Sequence, residues 1–221
     1  MLLAAAEDPE IERLRTDWAQ LGQYRDENQR LPPTSAARPR VVFLGDSLTQ
    51  SWDLTGLGLD KVEVLNRGIS GQTTPQMLVR FRQDVVHLRP AVVHILAGTN
   101  DLAGNTGPTT VEAIEANLSS MVEIAEANHI RVVLASELPA LDYPWRHGQQ
   151  PAPKIVALND WMRGLARRRH LVYADYYSAL VDSHGGFRSE LADDGVHPNR
   201  AGYGVMDPIA REAIERVLAA H

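Results

Sequence analysis

The chain contains no cysteine, which excludes disulfides, thiolate metal sites and a cysteine nucleophile. No apolar run approaches the roughly 20 residues that a membrane-spanning helix needs. Positive charge is not in excess. The formal net charge of −6 argues against nucleic acid as a partner, because non-specific binding requires a basic surface. No internal repeat is found, and no linker-like stretch is longer than Leu31–Arg40. The start, Met1-Leu2-Leu3-Ala4-Ala5-Ala6, is too short for a secretory leader and lacks its basic residues. The compartment therefore stays open, cytoplasmic or exported after removal of a signal peptide not present here. Homo-oligomerisation stays open as well.

What is present is ordinary for a globular protein: 221 residues, 44% hydrophobic and 23% charged, enough for one sizeable core. Five apolar runs alternate with helical patterns: Val41–Leu44, Val62–Leu65, Ala91–Ala97, Ile130–Ala135 and Leu171–Ala174. The second alternates polar with apolar residues, as a half-exposed edge strand does. The other four are solid, which places them in the centre or under cover. Val111, Ile114, Leu118, Met121 and Ala125 recur at helical steps, with Thr109 and Glu112 spaced as a capping box. Ile155, Leu158, Met162 and Leu165 repeat the step and run into Arg167-Arg168-Arg169, which suits a helix C-terminus better than a binding patch. Ile11, Leu14, Trp18 and Leu21 mark an N-terminal helix. A last helix spans about Arg200 to Leu218, with Pro208 expected to break or kink it.

Strands alternating with helices imply parallel strands joined by right-handed crossovers. The expectation is one α/β domain over 1–221, a three-layer α/β/α sandwich on a five-stranded parallel sheet, with 1–36 as a helical extension.

Four segments sit at strand ends or in loops rich in Gly, Pro and Asn. They are Gly45-Asp46-Ser47-Leu48, Asn66 to Thr74, Gly98-Thr99-Asn100-Asp101, and Asp194-Gly195-Val196-His197-Pro198-Asn199. Open α/β sheets bind ligands at the C-terminal ends of their strands. A serine hydroxyl needs an adjacent base to act as a nucleophile. Histidine suits that task, and a carboxylate fixes its tautomer. Asp194 and His197 are three residues apart around a glycine, so a turn can bring the carboxylate to Nδ1 and leave Nε2 for Ser47. Donors for an oxyanion are available in the N–H groups of Ser47 and Gly71 and the Asn100 amide. Each residue alone has a plainer reading. Ser47 would be a helix cap, Gly71 a turn glycine, Asn100-Asp101 a cap, and Asp46 a structural tie beneath the serine. Their joint occurrence favours acyl transfer.

In order and spacing, the four segments resemble the four blocks of the SGNH (GDSL) hydrolase superfamily, from about Val41 to the C-terminus. Asn66 to Thr74 is similar to bacterial esterases related to platelet-activating-factor acetylhydrolase, although the family often has Asp where Gln72 stands. The resemblance implies a flavodoxin-like sheet and a Ser47–His197–Asp194 triad. It also implies an oxyanion hole from Ser47, Gly71 and Asn100, with no metal and no organic cofactor. The expected substrates are small esters carrying acetyl to about hexanoyl groups. A thioesterase, a carbohydrate O-deacetylase or an acyltransferase would use the same residues, and a non-catalytic module holding a small anion is the reading from outside enzymology.

The remaining candidates have plainer explanations. His94 reads as a core histidine. His87, His129, His147, His170, His184 and His221 show no metal-ligand spacing. Gly56-Leu57-Gly58 lacks the third glycine of a dinucleotide fingerprint. Trp52 fits either a pocket wall or helix packing. The irregular Leu138–Pro153 starts on the active-site edge and is expected to shape the cleft.

Overall fold

The computed structural model describes residue 12 and residues 15–220. Five strands, β1 (Arg40–Gly45), β2 (Glu63–Gly68), β3 (Val92–Leu96), β4 (Arg131–Ala135) and β5 (Val172–Ala174), form one sheet in the order β2-β1-β3-β4-β5. All four pairings are parallel. In chain order the helices are α1 (Arg25–Arg30), α2 (Ser47–Gln50), α3 (Thr74–Asp84), α4 (Thr99–Leu102), α5 (Val111–Ala127), α6 (Ala152–Arg169), α7 (Tyr177–Leu180) and α8 (Arg200–Ala219). No described helix is long and apolar enough to cross a membrane.

Side chains of a strand alternate between faces, and β1 uses both. Val42 and Leu44 join Val93 and Ile95 in a core with Met77 and Phe81 of α3, Leu118 of α5 and Leu158 of α6. Val41 and Phe43 join Val92 and Leu96 under Trp52 and under Met206, Ala210 and Ile214 of α8. Helices therefore cover both faces, and the unbroken apolar strand β1 is wholly buried.

Several local details differ from the expectations. The N-cap of α5 is Thr110, whose hydroxyl accepts from Ala113 N–H, so the cap lies one residue beyond the Thr109–Glu112 pair. β2 continues past Leu65 to Gly68. β5 is the second edge strand, with Val172 and Tyr173 only half-buried. It has one strand neighbour to cover it, whereas β1, β3 and β4 have two. Pro208 does not break α8, which runs from Arg200 to Ala219 as one helix; its missing N–H would have bonded Gly204, which has nothing within 4 Å of where a Cβ would stand. Ile11 and Leu14 lie outside the described residues, as do Met1–Ala6 and His221. Trp18 stands in a turn, as does Leu21, because the Asp17 carboxylate accepts the N–H groups of Leu21 and Gly22.

The sheet register brings the strand ends level. Gly45 pairs with Gly68 on one side and Leu96 on the other. A Cβ on Gly68 would fall 2.2 Å from Gln50 N and 2.8 Å from Asp46 O, so α2 rests directly on the end of β2. Gly68→Ala is expected to lower stability by about 1–3 kcal/mol or more, as overpacking against backbone does. Thermal or urea denaturation of the purified variant measures it.

Candidate active site

Ser47 is the first residue of α2, half-buried, immediately after β1. Asp46 is the N-cap: its Oδ1 accepts Leu48 N–H at 2.9 Å. That cap turns the chain sharply at the strand end and leaves the Ser47 N–H without an intrahelical acceptor. Ser47 Oγ lies 3.0 Å from His197 Nε2, and His197 Nδ1 lies 2.7 Å from Asp194 Oδ2.

The turn carrying Asp194 and His197 is built locally. Gly195 takes φ +77°, a conformation that favours glycine. Asp194 Oδ1 accepts the N–H groups of Val196 and His197 at 2.9 and 2.8 Å. Val196 is buried beneath the turn, and Asn199 caps α8 through Ala201 and Gly202 N–H. Partial burial works against ionisation of Asp194, but the bonds from His197 and Val196 outweigh it and hold the carboxyl below its ordinary value. An ionised Asp194 can only accept, so Nδ1 carries the imidazole proton and Nε2 presents a lone pair to Ser47 Oγ–H.

On the opposite side of Ser47 the loop after β2 contributes Gly71, at φ +78° with open space where a Cβ would stand. Its N–H has no acceptor among the described residues. Asn100, in α4, reaches the same edge. Its Nδ2 donates to Asp46 Oδ2 at 3.0 Å and to Gln72 O at 3.1 Å, so both amide hydrogens have acceptors in the protein. Asp101 is a cap, accepting Thr74 N–H and Oγ1 at 2.8 and 2.5 Å.

Asn105 escaped the sequence reading, whereas Trp145 belongs to the Leu138–Pro153 loop expected to shape the cleft. Asn105 donates to Asn100 Oδ1 at 2.7 Å and to Gly71 O at 3.3 Å, and it accepts Trp145 Nε1–H at 3.0 Å. Trp145 hangs from the loop after β4, with its ring 5.7 Å from that of His197. A Gly-Asn turn and one tryptophan in an irregular loop carry no mark of this meeting, which depends on how two loops fold back over one sheet edge. The remaining candidates went to the core. Trp52 packs between Phe43 and Tyr203 with its N–H on Asp207. His94 stacks on Phe43 and bonds Tyr176 Oη at 2.8 Å; burial pushes it down to about 3, so it stays neutral. Among the described residues no three metal-ligating side chains cluster.

Such a sheet, with serine, imidazole and carboxylate in line at its strand ends, has the arrangement of an enzyme of acyl transfer. Residues 43–205 match the GDSL-like lipase/acylhydrolase family, and the chain belongs to that family. It is similar in structure to a GDSL-like lipase of Bacteroides thetaiotaomicron VPI-5482 (38% identical, 90% of this chain and 99% of that one, TM-score 0.85). A protein of Bacteroides fragilis NCTC 9343 is 41% identical over 91% of this chain and 99% of its own, with a TM-score of 0.86. In sequence it is 29% identical over 191 residues to human platelet-activating factor acetylhydrolase IB subunit alpha1, covering 82% of this chain and 78% of that one.

Three carboxyls are buried under the strand ends. Burial pushes Asp46 up to about 7, against the bond from Leu48 and the proximity of His197. Burial, then the nearby Asp46, pushes Glu137 up to about 8. Burial takes Asp101 up to about 6, against its bonds from Thr74. Glu137 accepts Thr99 Oγ1–H at 2.5 Å, and its Oε1 has no partner among the described residues. A raised carboxyl holds its proton in the folded state where the unfolded chain has released it. Stability from these groups is therefore full below the unfolded pKa and is lost as pH rises toward the folded one. For Glu137 that window runs from 4.5 to about 8. Glu137→Gln should gain in stability relative to the wild type between about pH 5 and about pH 8, read from urea midpoints at both values.

Proposed function

We propose that the protein is a serine esterase for short acyl groups, acetyl to about hexanoyl, working through an acyl-enzyme. The observation that carries the reading is the continuous line from Ser47 Oγ through His197 to the Asp194 carboxylate, at 3.0 and 2.7 Å. Ser47 Oγ attacks the acyl carbon while His197 Nε2 takes its proton, and Asp194 stabilises the imidazolium. The oxyanion is held by the N–H groups of Ser47 and Gly71 and by the Asn100 amide, which turns part of its bonding from Gln72 O or Asp46 toward the substrate. The alkoxide leaves with the proton from His197. Water, deprotonated by the same nitrogen, then attacks the acyl carbon and releases the acid and free Ser47.

The short-chain preference is supported by the naming of a relative as an acetylhydrolase.

Ser47→Ala and His197→Ala should each reduce hydrolysis of p-nitrophenyl acetate by about 10⁴-fold or more while the fold persists. Asn100→Ala should reduce kcat by roughly 10²–10³. A p-nitrophenyl series from acetyl to dodecanoyl, run beside acetylated sugars and acyl-CoA, tests the chain length and the bond type. Wild-type turnover by Ser47→Ala would overturn the assignment.

A further inference from the structure

The segment Trp18–Asn28 precedes the part of the chain that matches the family, yet it is bonded along the block carrying Gly71. Three glutamines donate to three of its backbone carbonyls. Gln72 Nε2 reaches Ala19 O at 2.9 Å, Gln76 Nε2 reaches Trp18 O at 2.8 Å, and Gln83 Nε2 reaches Leu21 O at 2.5 Å. Tyr24 Oη donates to Gly68 O, and its ring lies under the Arg67 guanidinium. Arg67, itself buried, bonds Asn28 and Glu27, and Asn28 reaches Asp84.

Gln72 is where these bonds meet the site. Its side chain is wholly buried. Its Oε1 accepts Arg80 Nε–H at 2.6 Å, and Arg80 also donates to Gly45 O and pairs with Asp84. Its backbone carbonyl accepts the Asn100 amide, and its neighbour in the chain is Gly71. One residue therefore joins the N-terminal segment to the ends of β1, β2 and β3. Gln76 has the same double engagement: Oε1 closes the capping box on Thr73 N–H at 3.0 Å, while Nε2 faces the N-terminal segment.

We propose that Trp18–Asn28 is a strap that holds the Gly71 loop and the Asn100 amide in register with Ser47, and that Gln72 and Gln76 are the positioning residues through which it acts. The inference rests on the proposed role of Ser47, Gly71 and Asn100. A strap of this kind fixes donors without touching substrate. Slackening it therefore lowers the rate of the step in which the oxyanion forms and leaves ground-state binding nearly unchanged.

Gln72→Glu and Gln76→Glu test it cleanly. Each keeps the inward oxygen, on Arg80 in one case and on the helix cap in the other, and, assayed at alkaline pH where the new carboxyl is ionised, replaces the donor facing the strap with an acceptor that its carbonyl repels. The expected result on p-nitrophenyl acetate is a fall in kcat of about 10-fold, short of outright loss of a donor, with KM within about twofold. The matched thionoester supplies a readout that a merely structural role would not move, since sulfur makes poor use of aligned donors. The variants should lose more rate on the ester than on the thionoester, so that the ester preference shrinks. An unchanged kcat, or equal losses on both substrates, overturns the inference; if Gln72→Glu does not fold, Gln76→Glu decides. Wild-type labelling by an alkyl phosphonate is run alongside. No labelling of Ser47 overturns the catalytic reading itself, whereas labelling with unchanged ester preference in the variants overturns the strap alone.

Discussion

The arrangement at the sheet edge depends on one steric fact: two glycines face each other where β1 and β2 end. Gly45 has Thr49 Oγ1 and Leu96 O inside the space of a side chain, and Gly68 has the backbone of Gln50 there. Without that clearance α2 could not lie on the strand ends, and Ser47 would be lifted away from them. The turn is then fastened from several directions. Asn66 donates to the carbonyls of Thr49 and Trp52, Tyr203 of α8 donates to Leu48 O, and Arg80 donates to Gly45 O. Because α8 also follows directly on His197, the bond from Tyr203 to α2 ties the imidazole and the serine to a common support.

Polar burial beneath this edge works against stability. Asp46, Asp101, Glu137 and Arg80 are all buried, and each would be replaced by an apolar side chain if packing alone mattered. Their bonds are directional where dispersion is not, and a network with most of its members satisfied has few alternative arrangements. Glu137, with one oxygen unpartnered among the described residues, is the member whose burial is least compensated. The fold therefore carries an electrostatic burden concentrated where the chemistry is proposed, while the two apolar cores on either side of the sheet supply the stability that tolerates it.

Much of this was legible in the chain. The solid runs of β1, β3 and β4 are read as buried strands because flanking strands and helices on both faces leave no polar position. The Asp194-to-His197 spacing speaks for itself because the pair is local and a glycine turn closes it. What could not be read depends on distant partners. Asn105 and Trp145 meet only after β3 and β4 have paired. Gln72 looks like any loop glutamine until Ala19 and Arg80 flank it. The cap of α5 moved from Thr109 to Thr110 because adjacent threonines are equivalent in pattern and only packing of Val111 and Ile114 chooses between them. β5 read as covered since its apolar run is as dense as the others, and density of pattern does not reveal strand order.

The family match begins inside β1 and ends inside α8. Those bounds therefore outline the shared chemistry and not a cooperative unit. A fragment cut to residues 43–205 would sever the first pairing residues of β1. It would also remove Ala210, Ile214 and Val217 from the core beneath α8 and leave the carboxamides of Gln72, Gln76 and Gln83 facing vacated acceptors. The border that respects the physics lies ahead of Trp18 on one side and beyond Val217 on the other.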